Sequence, residues 1–235
     1  MRSHGQVRPT AVTTRDRWLA RMTRALVNLA GAVSAAYFAR ASLAFYLDTH
    51  RLIGGLFLAE QAWFIVAFLT RRPARRRSAN VVGTSAGLGS GTGVAGLVPW
   101  LLAAGGTFGG VLFRPSGAHP QWGVDAGLAL QLVGVVAAIA ALVALGRSFG
   151  FVAADRGLVT RGPYAVIRHP VYAAYVVIQF GYLLQSISVR NAVVLVFVTA
   201  CDAGRACAEE RVLAASPGYE PYRRRVPWRL IPGLW

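Results

Sequence analysis

Residues 161–172 read Arg161-Gly162-Pro163-Tyr164-Ala165-Val166-Ile167-Arg168-His169-Pro170-Val171-Tyr172 and form a polar segment between two long apolar stretches. Pro170 suits the first turn of a helix, where its missing N–H costs nothing, so His169 is predicted near the helix N-cap. Such a helix end attracts anions, and the Arg168 guanidinium fits a carboxylate. Tyr164 and Tyr172 add aromatic faces that can bind a cation. The polar segment therefore predicts a binding loop at the start of an apolar helix.

The composition indicates a multi-pass membrane protein. With 55% hydrophobic residues and a mean hydropathy of +0.46 over 235 residues, the chain is more apolar than a soluble domain and long enough for several spans. The formal net charge of +16 comes from arginines beside the apolar stretches, which favours anionic lipid headgroups over nucleic acid as partners. The absence of lysine suggests a GC-rich genome and hence a bacterial plasma membrane.

The apolar pattern predicts an all-α bundle of about six transmembrane helices, the last two forming a C-terminal helical hairpin. The predicted spans are residues 25–47, 52–70, 94–113, 123–145, 171–187 and a return helix from residue 192. Cytoplasmic loops of membrane proteins are rich in arginine. Only Arg51, Arg114 and Arg190 lie in loops on the opposite side. The distribution therefore predicts a cytoplasmic polar segment and cytoplasmic N- and C-termini.

Three regions are expected along the chain. Residues 1–24 form a basic segment for the membrane surface, and residues 25–122 form an N-terminal transmembrane region whose loop, residues 71–93, is rich in arginine and glycine. Residues 123–235 hold the polar segment and the return helix, and form the functional core.

Two charged residues in the first two predicted spans, Arg40 and Glu60, are expected to pair. They lie at similar depths if these spans form a hairpin. An isolated charge inside a membrane is costly, so a partner within the bundle is the default expectation.

Other patterns argue against different kinds of site. Gly91, Gly93 and Gly96 match a dinucleotide-binding string, but no strand precedes them and an apolar span follows. Cys201 and Cys207 are six residues apart on one predicted helix, which suits neither a disulfide nor a zinc site. We therefore predict no metal site.

The return helix supplies the second half of the predicted site. Arg205 and Glu209 are four residues apart and share a face, while Glu210 is rotated by about 100° from Glu209. One carboxylate can thus pair with Arg205 while the other faces a ligand. A ligand with an amine, a carboxylate, hydroxyls and a positive sulfur would satisfy these groups together with the polar segment. S-adenosylmethionine is such a ligand.

Residues 142–235 resemble a known family. The likeness rests on Gly157 to Tyr164, on Arg168-His169-Pro170-Val171-Tyr172, on Glu209-Glu210 and on residues 219–232. In their order and spacing these motifs resemble the isoprenylcysteine carboxyl methyltransferases and the related phospholipid N-methyltransferases. The resemblance implies a cytoplasmic S-adenosylmethionine pocket and a tunnel, open to lipid, for a lipophilic methyl acceptor. An isoprenylcysteine-type carboxylate is the acceptor that it favours.

The resemblance also implies roles for individual residues. The cofactor-binding residues would be Tyr164, Arg168, His169, Pro170, Tyr172, Glu209 and Glu210. Arg205 would lie beside the acceptor group. A carboxylate acceptor needs no base, whereas a thiol or amine must lose a proton, for which Glu209 or His169 is the candidate base. The catalytic residues expected are therefore Arg205 and Glu209.

Two other functions are compatible with part of the pattern. An NADPH-dependent reductase of the sterol-reductase type has a similar Tyr-rich ending with Val-Pro and Ile-Pro pairs. However, adjacent glutamates suit a sulfonium and an amine better than the phosphates of NADPH. A non-catalytic membrane scaffold would bind no cofactor. The sequence leaves open whether the acceptor is a prenylated cysteine, a lipid, a quinone-like compound or a small thiol.

Overall fold

The computed structural model describes residues 14–50, 52–70, 76–77, 94–116, 120–150 and 154–235, which are almost entirely helical. The helices are α1 (Thr14–Thr49), α2 (Leu52–Thr70), α3 (Val94–Phe108), α4 (Gln121–Leu145), α5 (Pro170–Gln185), α6 (Val189–Leu213) and α7 (Tyr219–Arg225). Helices α1 to α6 coincide with the six predicted spans. The predicted all-α class is thus confirmed, apart from one antiparallel pair of two-residue strands, β1 (Arg76–Arg77) and β2 (Ala154–Asp155).

Among the described residues, three stretches are long and apolar enough to cross a membrane, namely Ala25–Asp48, Gln121–Ser148 and Val189–Leu213. Shorter apolar helical stretches occupy Gly55–Thr70 and Leu97–Leu112. Length and composition therefore support three of the six predicted spans as full crossings. Most of the predicted arginine- and glycine-rich loop, residues 71–75 and 78–93, lies outside the described residues.

Helix α1 is a single helix of 36 residues, so the predicted boundary after residue 24 falls inside it. A change from arginine-rich to apolar sequence does not break a helix, and no proline interrupts residues 14–49. Large apolar side chains such as Trp18, Leu26, Leu29 and Val33 are exposed along it. A face of this kind suits contact with lipid.

Glycines allow close contacts in two of the helix pairs. In the pairing of α4 with α5, a Cβ at Gly134 would lie 2.6 Å from Ile178 Cγ1. In the pairing of α3 with α6, a Cβ at Gly105 would lie 2.6 Å from Cys201 Sγ. Small residues let helix backbones approach closely, which is how apolar helices gain packing energy inside a membrane.

Gly181→Ala tests the contact between α4 and α5. The new Cβ would lie 2.6 Å from the Gly127 carbonyl oxygen and 2.9 Å from Gln131 Cγ, so backbone must shift. We expect a loss of about 1–3 kcal/mol in the free energy of unfolding, measured by denaturant titration in detergent. Gly110→Ala is the control, because no atom lies within 4 Å of its added Cβ. Equal stability of the two variants would contradict the role of this contact.

Two features join the N-terminal helices to the chain that precedes the polar segment. Phe149 packs edge-on against Trp63, Phe64 and Phe68 of α2, with ring centroids 5.1–5.6 Å apart. Strand β1, which follows α2, pairs with strand β2, which precedes the polar segment. The first two helices therefore form one wall of the space in front of the polar segment.

Candidate functional site

The polar segment is a 3-10 turn followed by the first turn of α5. Gly162 has a φ of +61°, a conformation that L side chains rarely adopt, and the turn then runs from Gly162 to Ala165. His169 is the N-cap of α5 and Pro170 its first residue, as predicted. The backbone N–H groups of Arg168 and His169 donate to the carbonyl oxygens of Trp228 and Arg229, both at 2.9 Å. These two N–H groups thus bind the C-terminal segment.

Arg168 is buried and fixes the polar segment to two other parts of the chain. Its Nε donates to Glu210 Oε1 at 2.8 Å. Its Nη1 donates to the carbonyl oxygens of Val226 at 2.8 Å and Pro227 at 2.6 Å. These contacts use the guanidinium to hold α6 and the C-terminal segment in place.

Glu210 is the centre of a buried charged cluster. Besides Arg168, it contacts His169 Nε2 at 3.2 Å through Oε1 and accepts from Arg229 Nε at 3.1 Å through Oε2. Glu210 and Pro170 are both buried, and neither lines the cavity described below. Buried ion pairs are costly to break because each partner is left without compensation. The cluster therefore stabilises the position of the polar segment.

Glu209 faces the other way, as the rotation between the two glutamates predicts. Its Oε1 accepts from the Tyr172 hydroxyl at 2.5 Å, and its Oε2 lies 3.6 Å from His169 Nδ1. The Glu209 side chain is 26% exposed, against 9% for Glu210, and it lines the cavity. Glu209 is thus the glutamate available to a ligand.

The hydrogen-bonding position of Arg205 differs from the prediction. Its Nη1 pairs with Asp202 Oδ1 at 3.3 Å, and no ion pair joins it to Glu209 or Glu210 among the residues that the structure describes. Its guanidinium lies over the ring of Tyr172, 5.0 Å from the centroid. Asp202 and Glu209 lie three residues before and four residues after Arg205, so both share its helix face. Because the Tyr172 hydroxyl already binds Glu209, Arg205 pairs with Asp202.

The predicted pair of Arg40 and Glu60 is also wrong. Arg40 is exposed on α1, whereas Glu60 is 3% exposed and lines the cavity. The sequence gives the depth of each residue along its helix, but the rotation of each helix places the two side chains on different sides.

A cavity of about 450 Å³ lies in front of the polar segment. At one end it is lined by residues of the recognised motifs, including Gly157, Val159, Tyr164, His169, Tyr172 and Glu209. At the other end it is lined by α1, α2 and the middle of α5, including Phe38, Phe57, Glu60, Phe64, Tyr175 and Gln179. We call these the motif end and the deep end. The site thus draws on both the N-terminal region and the predicted core.

Tyr219 and Tyr222 belong to the motif end, although the sequence did not separate a site role from that of interface aromatics. The Tyr222 hydroxyl donates to the Tyr164 carbonyl oxygen at 2.8 Å. The Tyr219 hydroxyl is buried without a hydrogen-bond partner among the described residues, on a side chain that lines the cavity. Burial raises the pKa of both phenols, that of Tyr222 to about 12, so both are neutral donors at physiological pH.

The two glutamates favour the protonated form of His169. Burial alone would lower its pKa, but hydrogen bonds and charges from Glu209 and Glu210 raise the pKa above its usual value of 6.5. A group whose pKa is raised on folding contributes its full stabilisation below its unfolded-state pKa, here 6.5. That stabilisation is lost as the pH rises through the folded-state pKa.

The stability of the protein should therefore fall as the pH is raised through the range just above 6.5. Melting temperatures in detergent across a pH series measure this fall. His169→Gln has no titrating imidazole and should flatten the profile in that range. An identical slope in the wild type and His169→Gln would show that another group is responsible.

The fold and the site define a class of protein, a helical membrane protein with a charged cavity at the start of an apolar helix. The sequence model of the phospholipid methyltransferase family matches residues 122–216, from α4 to the end of α6. This part of the chain is similar to that family, which agrees with the resemblance of the motifs and supports a membrane methyltransferase in general. A search of curated proteins gave no match.

Proposed function

We propose that the protein transfers a methyl group from S-adenosylmethionine to a lipophilic acceptor at the cytoplasmic face of the membrane. The observation that carries this proposal is the arrangement at the motif end. There the cavity is lined by the Glu209 carboxylate and by Tyr219, whose buried hydroxyl has no hydrogen-bond partner among the described residues. A cationic ligand that also carries hydrogen-bonding groups would satisfy both.

The described residues fit this cofactor. Tyr164, His169, Tyr172 and Glu209 would hold it directly, since their side chains line the motif end. Arg168, Pro170 and Glu210 would act by fixing the backbone of the polar segment. Bound S-adenosylmethionine supplies an electrophilic methyl group whose bond to sulfur breaks with the electron pair left on sulfur.

The chain's own groups position and deprotonate the acceptor. Arg205 lines the cavity beside Tyr172 and would bind a carboxylate acceptor, as in the isoprenylcysteine-type substrate that the resemblance favours. A carboxylate oxygen forms the new bond to carbon without losing a proton. A hydroxyl, thiol or amine must release one, and Glu209 or His169 would accept it. Holding the acceptor in line with the methyl group can lower the activation free energy by several kcal/mol.

The arginine distribution supports a cytoplasmic location for the pocket and both termini, beside anionic lipid headgroups. The exposed apolar face of α1 is consistent with this position in a bilayer.

Calorimetry on the protein purified in detergent tests the proposal. We expect saturable binding of S-adenosylmethionine and of its demethylated product, and no binding of NADPH. Binding of NADPH alone would favour a reductase, and binding of neither by a folded preparation would favour a non-catalytic scaffold. Methyl transfer from labelled S-adenosylmethionine to a panel of lipophilic acceptors then identifies the substrate.

A further inference from the structure

The deep end of the cavity contains a buried carboxylate outside the family match. Glu60 lies on α2, whereas the match covers residues 122–216. Its side chain is 3% exposed to solvent and lines the cavity. A buried carboxylate in an apolar helix is expensive unless a partner binds it, and such residues commonly serve a function.

The Glu60 carboxylate lies next to Tyr175 of α5, which interacts with it electrostatically. Glu60 Oε1 has no hydrogen-bond partner among the described residues. Arg40, the basic residue expected to pair with it, is exposed and forms no ion pair with it. An unsatisfied, buried hydrogen-bond acceptor therefore belongs to a side chain that lines the cavity.

A second open acceptor lies on the neighbouring helix. Gln179 also lines the cavity, and its buried Oε1 has no partner among the residues that are described. Gln179 follows Tyr175 by four residues, so the two side chains share one face of α5. The surrounding wall is aromatic, with Phe38, Phe57 and Phe64. The deep end thus combines apolar walls with oxygen atoms that can only accept.

We propose that the deep end binds a methyl acceptor with an apolar body and an O–H or N–H group, which donates a hydrogen bond to Glu60 Oε1. This inference rests on the proposed function and makes Glu60 a residue that determines acceptor specificity. An unbranched fatty carboxylate carries no hydrogen-bond donor in its ionised form and is disfavoured. An isoprenylcysteine-type acceptor fits if its carboxylate points to Arg205 and its N–H points to Glu60.

Binding of three probes with equal chain length tests the inference. Dodecanol and dodecylamine carry a donor, and dodecyl methyl ether does not. The wild-type protein should bind at least one donor probe about ten-fold more tightly than the ether, because leaving a buried acceptor without a donor is costly. Glu60→Leu should remove this preference, and Glu60→Gln, which keeps an acceptor oxygen, should retain part of it.

Arg40→Leu is the matched control, since it removes an exposed charge at similar depth and should keep the preference. Removing a buried carboxylate does not leave an unpaired cation here, so Glu60→Leu is expected to fold. A preference for dodecanol or for dodecylamine alone identifies the donor. No preference in the wild type, or an unchanged preference in Glu60→Leu, would overturn the inference. S-adenosylmethionine binding is measured in the same samples, so a failure of the proposed function is seen separately.

Discussion

Glu210→Gln should destabilise the protein by about 3–5 kcal/mol, the loss expected when one partner of a buried charged cluster is removed. Glu210 is the carboxylate shared by Arg168, His169 and Arg229. Without the negative charge of Glu210, the positive charges of the buried Arg168 and His169 are poorly balanced. The contact between α6 and the C-terminal segment then weakens. The free energy of unfolding, from denaturant titration in detergent, measures the effect.

Glu220→Gln is the matched control, since Glu220 also contacts two arginines, Arg223 and Arg224, but does so on the protein surface. Exposed ion pairs contribute little to stability. We expect Glu220→Gln to unfold like the wild type. If the two variants lost the same amount, burial of the cluster would not be what makes Glu210 important.

Glu209→Gln should produce the opposite pattern, a small change in stability and a large loss of cofactor affinity. The Glu209 carboxylate faces the cavity and is bound on the protein side by the Tyr172 hydroxyl. Hydrogen bonds to a charged group contribute about 1.5–3 kcal/mol, so S-adenosylmethionine should bind about ten- to a hundred-fold more weakly. Calorimetry measures the affinity, and a melting curve of the same sample measures stability.

Tyr172→Phe tests the hydroxyl that orients the Glu209 carboxylate. This variant keeps the charge of Glu209 but removes the hydroxyl that orients it, so a smaller loss of affinity is expected than for Glu209→Gln. The assignment of the two glutamates would be refuted if Glu209→Gln bound S-adenosylmethionine normally while Glu210→Gln bound it weakly without any loss of stability.

Much of the motif end could be predicted from the sequence. The helix end at Pro170, the adjacent Tyr172 and the differing directions of Glu209 and Glu210 follow from local rules of capping and helical rotation. Such rules hold because they involve residues within a few positions of each other. The roles of these residues toward a cofactor stay predictions until binding is measured.

The errors concern contacts between helices. The partner of Arg205 depends on which of two acids, three residues before it or four residues after it, is already bound to Tyr172 of α5. The partner of Glu60 depends on the rotation of α1 and α2. Neither is encoded in spacing along one helix. The same is true of Arg229, whose contact with Glu210 arises only when the C-terminal segment folds back over α6. The sequence therefore identifies the charged residues of the site more reliably than it identifies their partners.

The order in which the pocket is synthesised follows from the hydrogen bonds of Arg168. Its carbonyl partners, in Val226 and Pro227, come 58 and 59 positions later in the chain. A ribosome therefore delivers the arginine and two apolar helices to the membrane before it delivers the segment that encloses them. Until then the charged residues of the site lie beside the bilayer without the C-terminal segment that contacts them. A chain interrupted before Val226 would contain the described residues that line the cavity, but its Arg168 would lack the two carbonyl groups that hold it in place.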